Sequence, residues 1–224
     1  VFSLVPYPRL RPGFTDTVAK TGHLLFTSLL FHDAASQMAA LSSQFGCGNA
    51  TQYAADAAAA VANLDLLSDP TSPLWLAASV DNALPDVWGS LYAVYLNLST
   101  PARQQAVTAY VAQNLTTSIE EGQVRNLPQG LYWTRCFVGC AAHGTYQNGG
   151  FWATPIPYLV KAFMSTGLTT TAAAIVNATI ASFQTGGIYE DIDNGNPVVS
   201  RGVLNYTASA TNVLWGLQAL NAGR

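Results

Sequence analysis

The sequence is poor in charged residues. Only 9% of its 224 residues are Asp, Glu, Lys or Arg, whereas a typical soluble domain has roughly a quarter. Lysine is almost absent, with Lys20 and Lys161 the two examples, and the formal net charge is −3. Proteins that bind nucleic acid need clustered Lys and Arg to neutralise phosphates. We therefore expect no nucleic-acid partner.

Long apolar runs are also missing, although 50% of the residues are hydrophobic. No uninterrupted apolar stretch approaches the roughly 20 residues that a membrane-spanning helix requires. We therefore expect no membrane span. Residues 1–6 lack a charged leader and a long apolar core, so we expect any export signal to have been removed or to lie upstream.

Signature motifs of several enzyme classes are absent. The sequence has no Gly-x-Ser-x-Gly nucleophile elbow, no phosphate-binding Gly-Lys-Thr loop and no His-Glu-x-x-His helix. A zinc site needs a second Cys pair or a His pair at ligand spacing, and neither accompanies Cys136 and Cys140. We therefore expect no metal and no cofactor.

The cysteine count is odd. Cys136 and Cys140 are separated by Phe-Val-Gly, and either close a small disulfide loop in an oxidising compartment or stay as buried thiols. If they pair, Cys47 is left free or joined to another chain.

Five Asn-x-Ser/Thr sequons offer sites for glycans, which would supply the polarity that the sparse charges do not. Asn114 is the weakest acceptor, because it lies between Val111 and Leu115 on the apolar stripe of a predicted helix. We expect a secreted, extracellular glycoprotein. Four acceptors remain, and they are Asn49, Asn97, Asn177 and Asn205. We expect at least two of the four to be occupied.

The hydrophobic periodicity predicts an all-α chain without convincing strands. About seven helices are expected, at residues 20–45, 52–67, 86–98, from Pro101 to near 119, from Pro155 or Pro157 to 167, 169–183 and 208–220. Short turns alternate with long loops at residues 6–15, 76–85, 122–154 and 186–205. This alternation indicates stacked helical hairpins in a single domain, 1–224, whose long loops gather at one end and form a pocket.

One of those loops has the composition of a sugar-binding segment. Residues 144–155 read Gly-Thr-Tyr-Gln-Asn-Gly-Gly-Phe-Trp-Ala-Thr-Pro. Tyr146, Phe151 and Trp152 offer flat faces for pyranose rings, while Gln147 and Asn148 carry donors and acceptors for hydroxyl groups. The alternative is a structural turn at the two glycines, with the Trp as an anchor in the core.

Six motifs in sequence order resemble the six-hairpin glycosidase superfamily, with a more distant similarity to trehalases. They are Gly13-Phe14-Thr15-Asp16, Leu84-Pro85-Asp86-Val87-Trp88-Gly89, Gly122-Gln123-Val124-Arg125-Asn126-Leu127-Pro128, the Tyr-Gln-Asn-Gly-Gly-Phe-Trp loop, Gly187-Ile188-Tyr189-Glu190 and Ser209-Ala210-Thr211-Asn212. The resemblance implies an (α/α)6 toroid that hydrolyses glycosidic bonds without a cofactor. About seven helices are too few for six hairpins, so the chain resembles the C-terminal half of such a protein or a shortened relative.

The resemblance also implies catalytic residues. Glu190 matches the position of the last-hairpin Glu that serves as base in trehalase-like members. Its alternatives are a solvated loop acid beside Asp191 and Asp193, or an anion near the N-terminus of the last helix. Asp86 and Asp16 are candidate acids or sugar-hydroxyl acceptors, and each is alternatively the N-cap of the helix that follows.

The same motifs contribute three further expected sugar contacts, Trp88, Gln123 and Arg125. The guanidinium of Arg125 presents a rigid fork of donors to a carboxylate or a hydroxyl. An ion pair with Glu120 or Glu121 is its alternative. His143 is the one histidine in a predicted site loop, whereas His23 and His32 fall in the first helix and are expected to be structural.

Two functions remain open. The first is a glycoside hydrolase that acts on an extracellular carbohydrate by acid/base chemistry. The second is a noncatalytic structural or carbohydrate-binding subunit of an extracellular assembly, since a fold does not fix a function. In either case an incomplete ring leaves an open helical edge. We expect that edge to meet a missing N-terminal half, a second copy or another chain.

Overall fold

A computed structural model describes residues 17–193 and 200–222. Most of the described residues are helical. The helices are α1 (Leu25–Phe45), α2 (Ala50–Val61), α3 (Val87–Tyr95), α4 (Pro101–Gln113), α5 (Leu115–Ser118), α6 (Ile156–Ser165), α7 (Thr169–Gly186) and α8 (Thr207–Ala222), with a 3-10 turn at Leu64–Leu67. None of these helices is long and apolar enough to cross a membrane.

The prediction of an all-α chain is wrong in one respect, because five short strands form an antiparallel sheet in the order β1-β2-β3-β4-β5. They are β1 (Ile119–Glu120), β2 (Gln123–Arg125), β3 (Phe151–Trp152), β4 (Asp191–Asp193) and β5 (Ser200–Arg201). Strands of two or three residues are too short for an alternating pattern to be visible in the sequence. The sheet lies in the regions predicted to be long loops.

The helices pack as hairpins around a row of inner helices. In that row α1 packs on α3, α3 on α6 and α6 on α8, while α2, α4 and α7 pack against α1, α3 and α6. Their inner position explains why α3 and α6 are rich in apolar residues, since both helices are buried along almost their whole length. The row therefore ends at α1 on one side and at α8 on the other.

Side-chain caps set the start of three helices, one of which, α3, is described with the site. Asn49 accepts from the Gln52 N–H at 3.0 Å at the start of α2. Thr100 accepts from the Arg103 N–H at 3.3 Å at the start of α4, whose first residue is Pro101. The sequence predicts a cap at Ser99 or Thr100, because Pro101 is typical of the first position of a helix, and the structure has it at Thr100.

Gly122 attaches the sheet to α7. It forms the turn between β1 and β2 with a φ of +79°, and a methyl group placed on it would lie 2.5 Å from the Ile175 carbonyl oxygen and the Thr179 nitrogen. Gly130 has a similar φ of +85°, but nothing lies within 4 Å of its added methyl group. We expect Gly122→Ala to lower the free energy of unfolding by about 2 kcal/mol more than Gly130→Ala does, through overpacking.

Urea unfolding of the two variants measures this difference. Both positions have a left-handed backbone, so the cost of that conformation is common to both substitutions. Equal losses of stability in the two variants would contradict the close packing of the sheet on α7.

Candidate functional site

The long loops meet at one end of the helical row. The Asn82 Nδ2 donates to the carbonyl oxygens of Ala19 and Arg135, both at 2.8 Å, and its Oδ1 accepts from the Thr134 N–H at 3.1 Å. This side chain thereby joins the segment before α1, the loop before α3 and the loop after β2. Asp16, one of the predicted catalytic residues, lies outside the described residues.

The loop predicted to bind sugar is held against the rest of the fold by hydrogen bonds of its own amide side chains. The Asn148 Oδ1 accepts from the Trp133 N–H at 2.6 Å, and its Nδ2 donates to the Ala141 carbonyl at 2.7 Å. The Gln147 carbonyl accepts from Trp133 Nε1 at 2.8 Å, and its Oε1 accepts from the Thr17 N–H at 3.4 Å. Both amide side chains are buried. In this structure they hold the loop, and sugar contact by them stays a prediction.

Two tryptophans of the predicted site lie in the main hydrophobic core. Trp152 is 1% exposed and Trp88 is 4% exposed, and their ring centroids are 6.2 Å apart. Trp152 Nε1 donates to the Tyr146 carbonyl at 3.2 Å, while Trp88 Nε1 donates to the Val124 carbonyl at 3.0 Å. The alternative role of Trp152 as a core anchor fits this position. Stacking of a sugar on Trp152 or Trp88 stays a prediction.

Tyr146 is the aromatic residue of this loop that keeps part of its surface exposed. Its ring lies 5.3 Å from that of Trp152, and its backbone is left-handed with a φ of +43°. Such a conformation costs of order 1–3 kcal/mol in a residue other than glycine unless the surroundings hold it. Besides Trp152 Nε1, two further neighbours hold it: the Tyr146 carbonyl accepts from the Gly150 N–H at 3.0 Å, and its N–H donates to Asp193 Oδ1 at 2.6 Å.

The bond from Tyr146 to Asp193 joins the aromatic loop to an acidic strand. Glu190, Asp191 and Asp193 follow one another along β4 and its entry. Glu190, the predicted base, is half-buried, and its N–H donates to the Val203 carbonyl at 2.9 Å. The predicted catalytic residue therefore lies beside the predicted sugar loop, although about forty residues separate the two in the sequence.

Asp191 is a residue of this site that the sequence did not single out for a role. It is 2% exposed. Burial raises the pKa of its carboxyl to about 7, and the charge of Asp193, a hydrogen bond with Asp193 and the charge of Glu190 add to this effect. Asp191 therefore stays protonated at weakly acidic pH and is about half protonated at neutral pH, unlike an ordinary aspartate.

Asp86 caps α3. Its Oδ1 accepts from the Gly89 N–H at 3.0 Å, which is the alternative role predicted for it. Burial raises the pKa of Asp86, and it lowers the pKa of Lys20, while the attraction between the two charges opposes both changes. Lys20 Nζ also lies 5.0 Å from the centroid of the Trp133 ring. A single lysine carries no motif, so Lys20 could not be assigned to this site from the sequence. A catalytic role for Asp86 stays a prediction.

The alternative predicted for Arg125, an ion pair with Glu120 or Glu121, is wrong. Glu121 pairs with Arg201 at 2.7 Å and accepts from Ser182. Arg125 is buried and lies 5.3 Å from the Tyr132 ring centroid. Within the described part of the chain, Nε and Nη2 of Arg125 have no hydrogen-bond partner, nor do the side-chain atoms of Gln123.

The sheet separates these residues from Asp191. Val124 pairs with Trp152, and Trp152 pairs with Asp191, and residues directly opposite in antiparallel strands share a face. Gln123 and Arg125 flank Val124 and therefore lie on the other face. The candidate site is consequently two-sided, with Asp191, Asp193 and Trp152 on one face and the buried polar side chains of β2 on the other.

The expected modification sites differ in exposure. Asn49, Asn97, Asn177 and Asn205 are all at the surface. In contrast, the Asn114 Nδ2 donates to the Tyr110 carbonyl at 2.8 Å, which gives a physical reason for its low rank as an acceptor.

Cys136 and Cys140 are joined in a disulfide with a Cα–Cα distance of 5.2 Å, and Cys47 is exposed. Within residues 17–193 and 200–222, no three His, Cys, Asp or Glu side chains group as metal ligands do.

Comparisons with known proteins identify the fold. No protein-family model matches the sequence, and no curated protein matches it. Solved structures do match. The GH63 mannosylglycerate hydrolase from Thermus thermophilus in complex with Tris is 12% identical with a TM-score of 0.65, over 84% of this chain and 44% of that chain. Over the part that the two share, the chain has the helical-hairpin fold of this hydrolase.

Two further structures of the same hydrolase agree. The complex with glucose has a TM-score of 0.65 at 12% identity, over 85% of this chain and 47% of that one. The complex with Tris and D-glycerate has a TM-score of 0.64 at 14% identity, over 88% and 45%. The resemblance predicted from the motifs is thus confirmed for the fold. The chain spans less than half the length of these solved six-hairpin glycosidases, so it corresponds to part of a toroid.

The ends of the inner row carry exposed apolar side chains. On α1 these lie at heptad-like spacing, and Met38, Leu41 and Phe45 are exposed by 44%, 46% and 68%. On α8, Leu214 and Trp215 are exposed. We call the α1 set, Met38, Leu41 and Phe45, the α1 stripe.

Proposed function

We propose that this chain is part of a glycoside hydrolase that cleaves a glycosidic bond of an extracellular carbohydrate by acid/base chemistry. The observation that carries the proposal is the hydrogen bond between the Tyr146 N–H and Asp193 Oδ1, at 2.6 Å. It places an aromatic loop against an acidic strand at the loop end of the fold. The three solved structures compared above are all of a GH63 mannosylglycerate hydrolase.

We assign the base to Glu190. It is half-buried, so its carboxylate can reach both a water molecule and a substrate. Asp191 does not serve as the second catalytic carboxyl, because successive side chains of an extended strand point to opposite faces. Inverting hydrolysis also places the two carboxyls roughly 6.5–9.5 Å apart. Asp86 and Asp16 remain the predicted proton donors or hydroxyl acceptors.

Tyr146 is the ring on which we propose that a sugar stacks. Its partial exposure and its position beside the acidic strand support this assignment, since flat aromatic faces bind the apolar faces of pyranoses. The glucose and D-glycerate bound in the solved GH63 hydrolase make hexosides, and hexosides of small hydroxy acids, the first substrates to test.

A panel of glycosides tests the proposal. The protein is incubated with α- and β-linked glucosides and mannosides, and free monosaccharide is followed by the anomeric signals in its proton NMR spectrum. We expect one linkage type to be cleaved, with heat-denatured protein as the blank. Binding of sugars without any cleavage would favour the second candidate function.

That second candidate is a noncatalytic subunit of an extracellular assembly. The exposed α1 stripe and the exposed apolar residues of α8 favour it, because contiguous apolar patches of this kind mark interaction sites. We propose that these edges meet further helical hairpins, from the other half of the toroid, a second copy or a different chain. The same contacts would also complete a catalytic toroid, so the two candidates share this feature.

We propose an extracellular location. The disulfide between Cys136 and Cys140 and the four exposed sequons support it, since disulfides persist in oxidising compartments. We expect at least two of the four sites to carry glycans. Intact mass before and after enzymatic removal of glycans, on protein from its natural source, measures this. An unchanged mass would contradict the extracellular assignment.

A further inference from the structure

We propose that Asp191 and Asp193 share one proton, and that this carboxyl pair holds the aromatic loop in place beside Glu190. Asp191 is then a positioning residue. Its effect on catalysis rests on the proposed hydrolase function, whereas the pair and its hold on the loop do not.

The contact that transmits the effect is the one to Tyr146. Its left-handed backbone, with a φ of +43°, needs partners that hold it. The Asp193 Oδ1 is the acceptor for its N–H, at 2.6 Å. An acceptor that turned away would leave this backbone group unpaired and the loop free to relax. The Tyr146 carbonyl keeps its bonds from Gly150 and Trp152, so the orientation of Asp193 acts on Tyr146 through its N–H.

The neighbouring strands leave room for the Asp191 carboxyl. It lies opposite Trp152 in the register of β3 and β4. On the other side lies Gly202, whose N–H donates to the Asp191 carbonyl at 3.0 Å. A methyl group placed on Gly202 would overlap Asp191 Oδ1. The absence of a side chain at this position is what admits a buried carboxyl next to Asp193.

Two acids raise the pKa of this carboxyl: Asp193, on the same face of the strand, and Glu190, whose charge acts on it more weakly. Of its neighbours on β3 and β5, Trp152 and Gly202 carry no charge, and Arg201, next to Gly202, is paired with Glu121. With its pKa raised to about 7 by burial and by these neighbours, Asp191 is protonated below neutrality and donates to the Asp193 carboxylate. Above neutrality the Asp191 and Asp193 carboxylates would both be charged on the same face of the strand and would repel each other.

The sign of the pH dependence follows. A carboxyl whose pKa is raised on folding stabilises the protein fully below the pKa of the unfolded chain, about 3.9. That contribution is lost as the pH rises to about 7, the pKa of Asp191 in the folded protein. We therefore expect the loop to be held at acidic pH and released above neutrality.

NMR spectroscopy tests the inference without any substrate. Carbon-13 labelling of the aspartate carboxyls reports the titration of Asp191, and the backbone amide of Tyr146 reports its hydrogen bond to Asp193. We expect both signals to change with one midpoint near pH 7, the value of the raised pKa. In Asp191→Asn, which can still donate to Asp193, the Tyr146 amide should stay in its low-pH position throughout. Persistence of the same amide transition in that variant would overturn the inference.

A second variant keeps the test decisive if Asp191→Asn does not fold. Gly202→Ala leaves every titratable group in place but fills the space of the carboxyl, and should lower the midpoint by at least about one pH unit. Gly186→Ala is the matched control, because its added methyl group meets atoms no closer than 3.5 Å. Equal midpoints in the two Gly→Ala variants would also overturn the proposal.

The outcomes separate this inference from the proposed function. Coupled titration without cleavage of any glycoside would leave the carboxyl pair intact and contradict the hydrolase. Cleavage of a glycoside by a protein whose Tyr146 amide does not follow the titration of Asp191 would support the hydrolase and contradict the carboxyl pair. If both hold, hydrolysis should decline as the pH rises through about 7, and Asp191→Asn should remove that decline.

Discussion

Replacing Glu190 with Gln is expected to lower kcat for glycoside hydrolysis by ~10²–10⁴-fold, the range found for the loss of a general base. The amide has nearly the shape of the carboxylate but cannot accept a proton from water. Because Glu190 is half-buried just before β4 and is not part of the hydrophobic core, the substitution should leave folding intact. Initial rates on the cleaved glycoside, with circular dichroism as the check on folding, measure the effect.

Glu120→Gln is the matched control. Glu120 lies in β1, at the far side of the sheet from β4, and is half-buried like Glu190. The change in charge is identical in the two variants. We expect the control to retain the activity of the unmodified protein. Equal rates for both variants would remove Glu190 from the catalytic role.

The chain without a partner is expected to self-associate through its open edge. The α1 stripe exposes Met38, Leu41 and Phe45 on a helix whose opposite side already packs on neighbouring helices, and a helix that is apolar on two sides is usually buried. Replacing Met38 and Leu41 together by Glu should convert the assembly to monomer and raise its dissociation constant by at least ~100-fold, since buried unpaired charges are strongly disfavoured. Gel filtration with light scattering measures both states.

Ala40 and Ser43 supply a matched control on the same helix. Both are exposed, but the helical repeat places them away from the α1 stripe. Replacing both by Glu adds the same charge and should leave the assembly unchanged. A stable, well-dispersed monomer of the unmodified chain would contradict the open edge and indicate a compact, shortened fold.

Helices were predictable because their signals are local. Thr100 and Pro101 mark the start of α4, and Asp86 marks the start of α3, in the sequence as in the structure. The sheet was not predictable in this way. β2 contains only Gln123–Arg125, and its hydrogen-bonded partners come from residues 119–120 and 151–152. Pairing at such distances leaves no periodic trace in the sequence.

The candidate site, like the fold, was predictable from the sequence only in part. Ordered motifs indicated that Glu190 and Tyr146 belong to one end of the fold, and the bond from Tyr146 to Asp193 brings those segments together. Asp191 could not be identified, because its burial depends on Gly202 and on the register of β3 with β4. The ion pair expected for Arg125 failed for a similar reason. One of the two glutamates predicted as its partner, Glu121, bonds instead to Arg201, which is 80 residues away.

A crystal structure of Glu190→Gln with a glycoside that the unmodified protein cleaves tests the central claim most directly. The account predicts a sugar ring on the exposed face of Tyr146, with the scissile bond and a water molecule beside the side-chain amide introduced at position 190. The bond from the Tyr146 N–H to Asp193 should be retained. A glycoside bound elsewhere on the fold, with the space between Tyr146 and residue 190 empty of sugar, would contradict it.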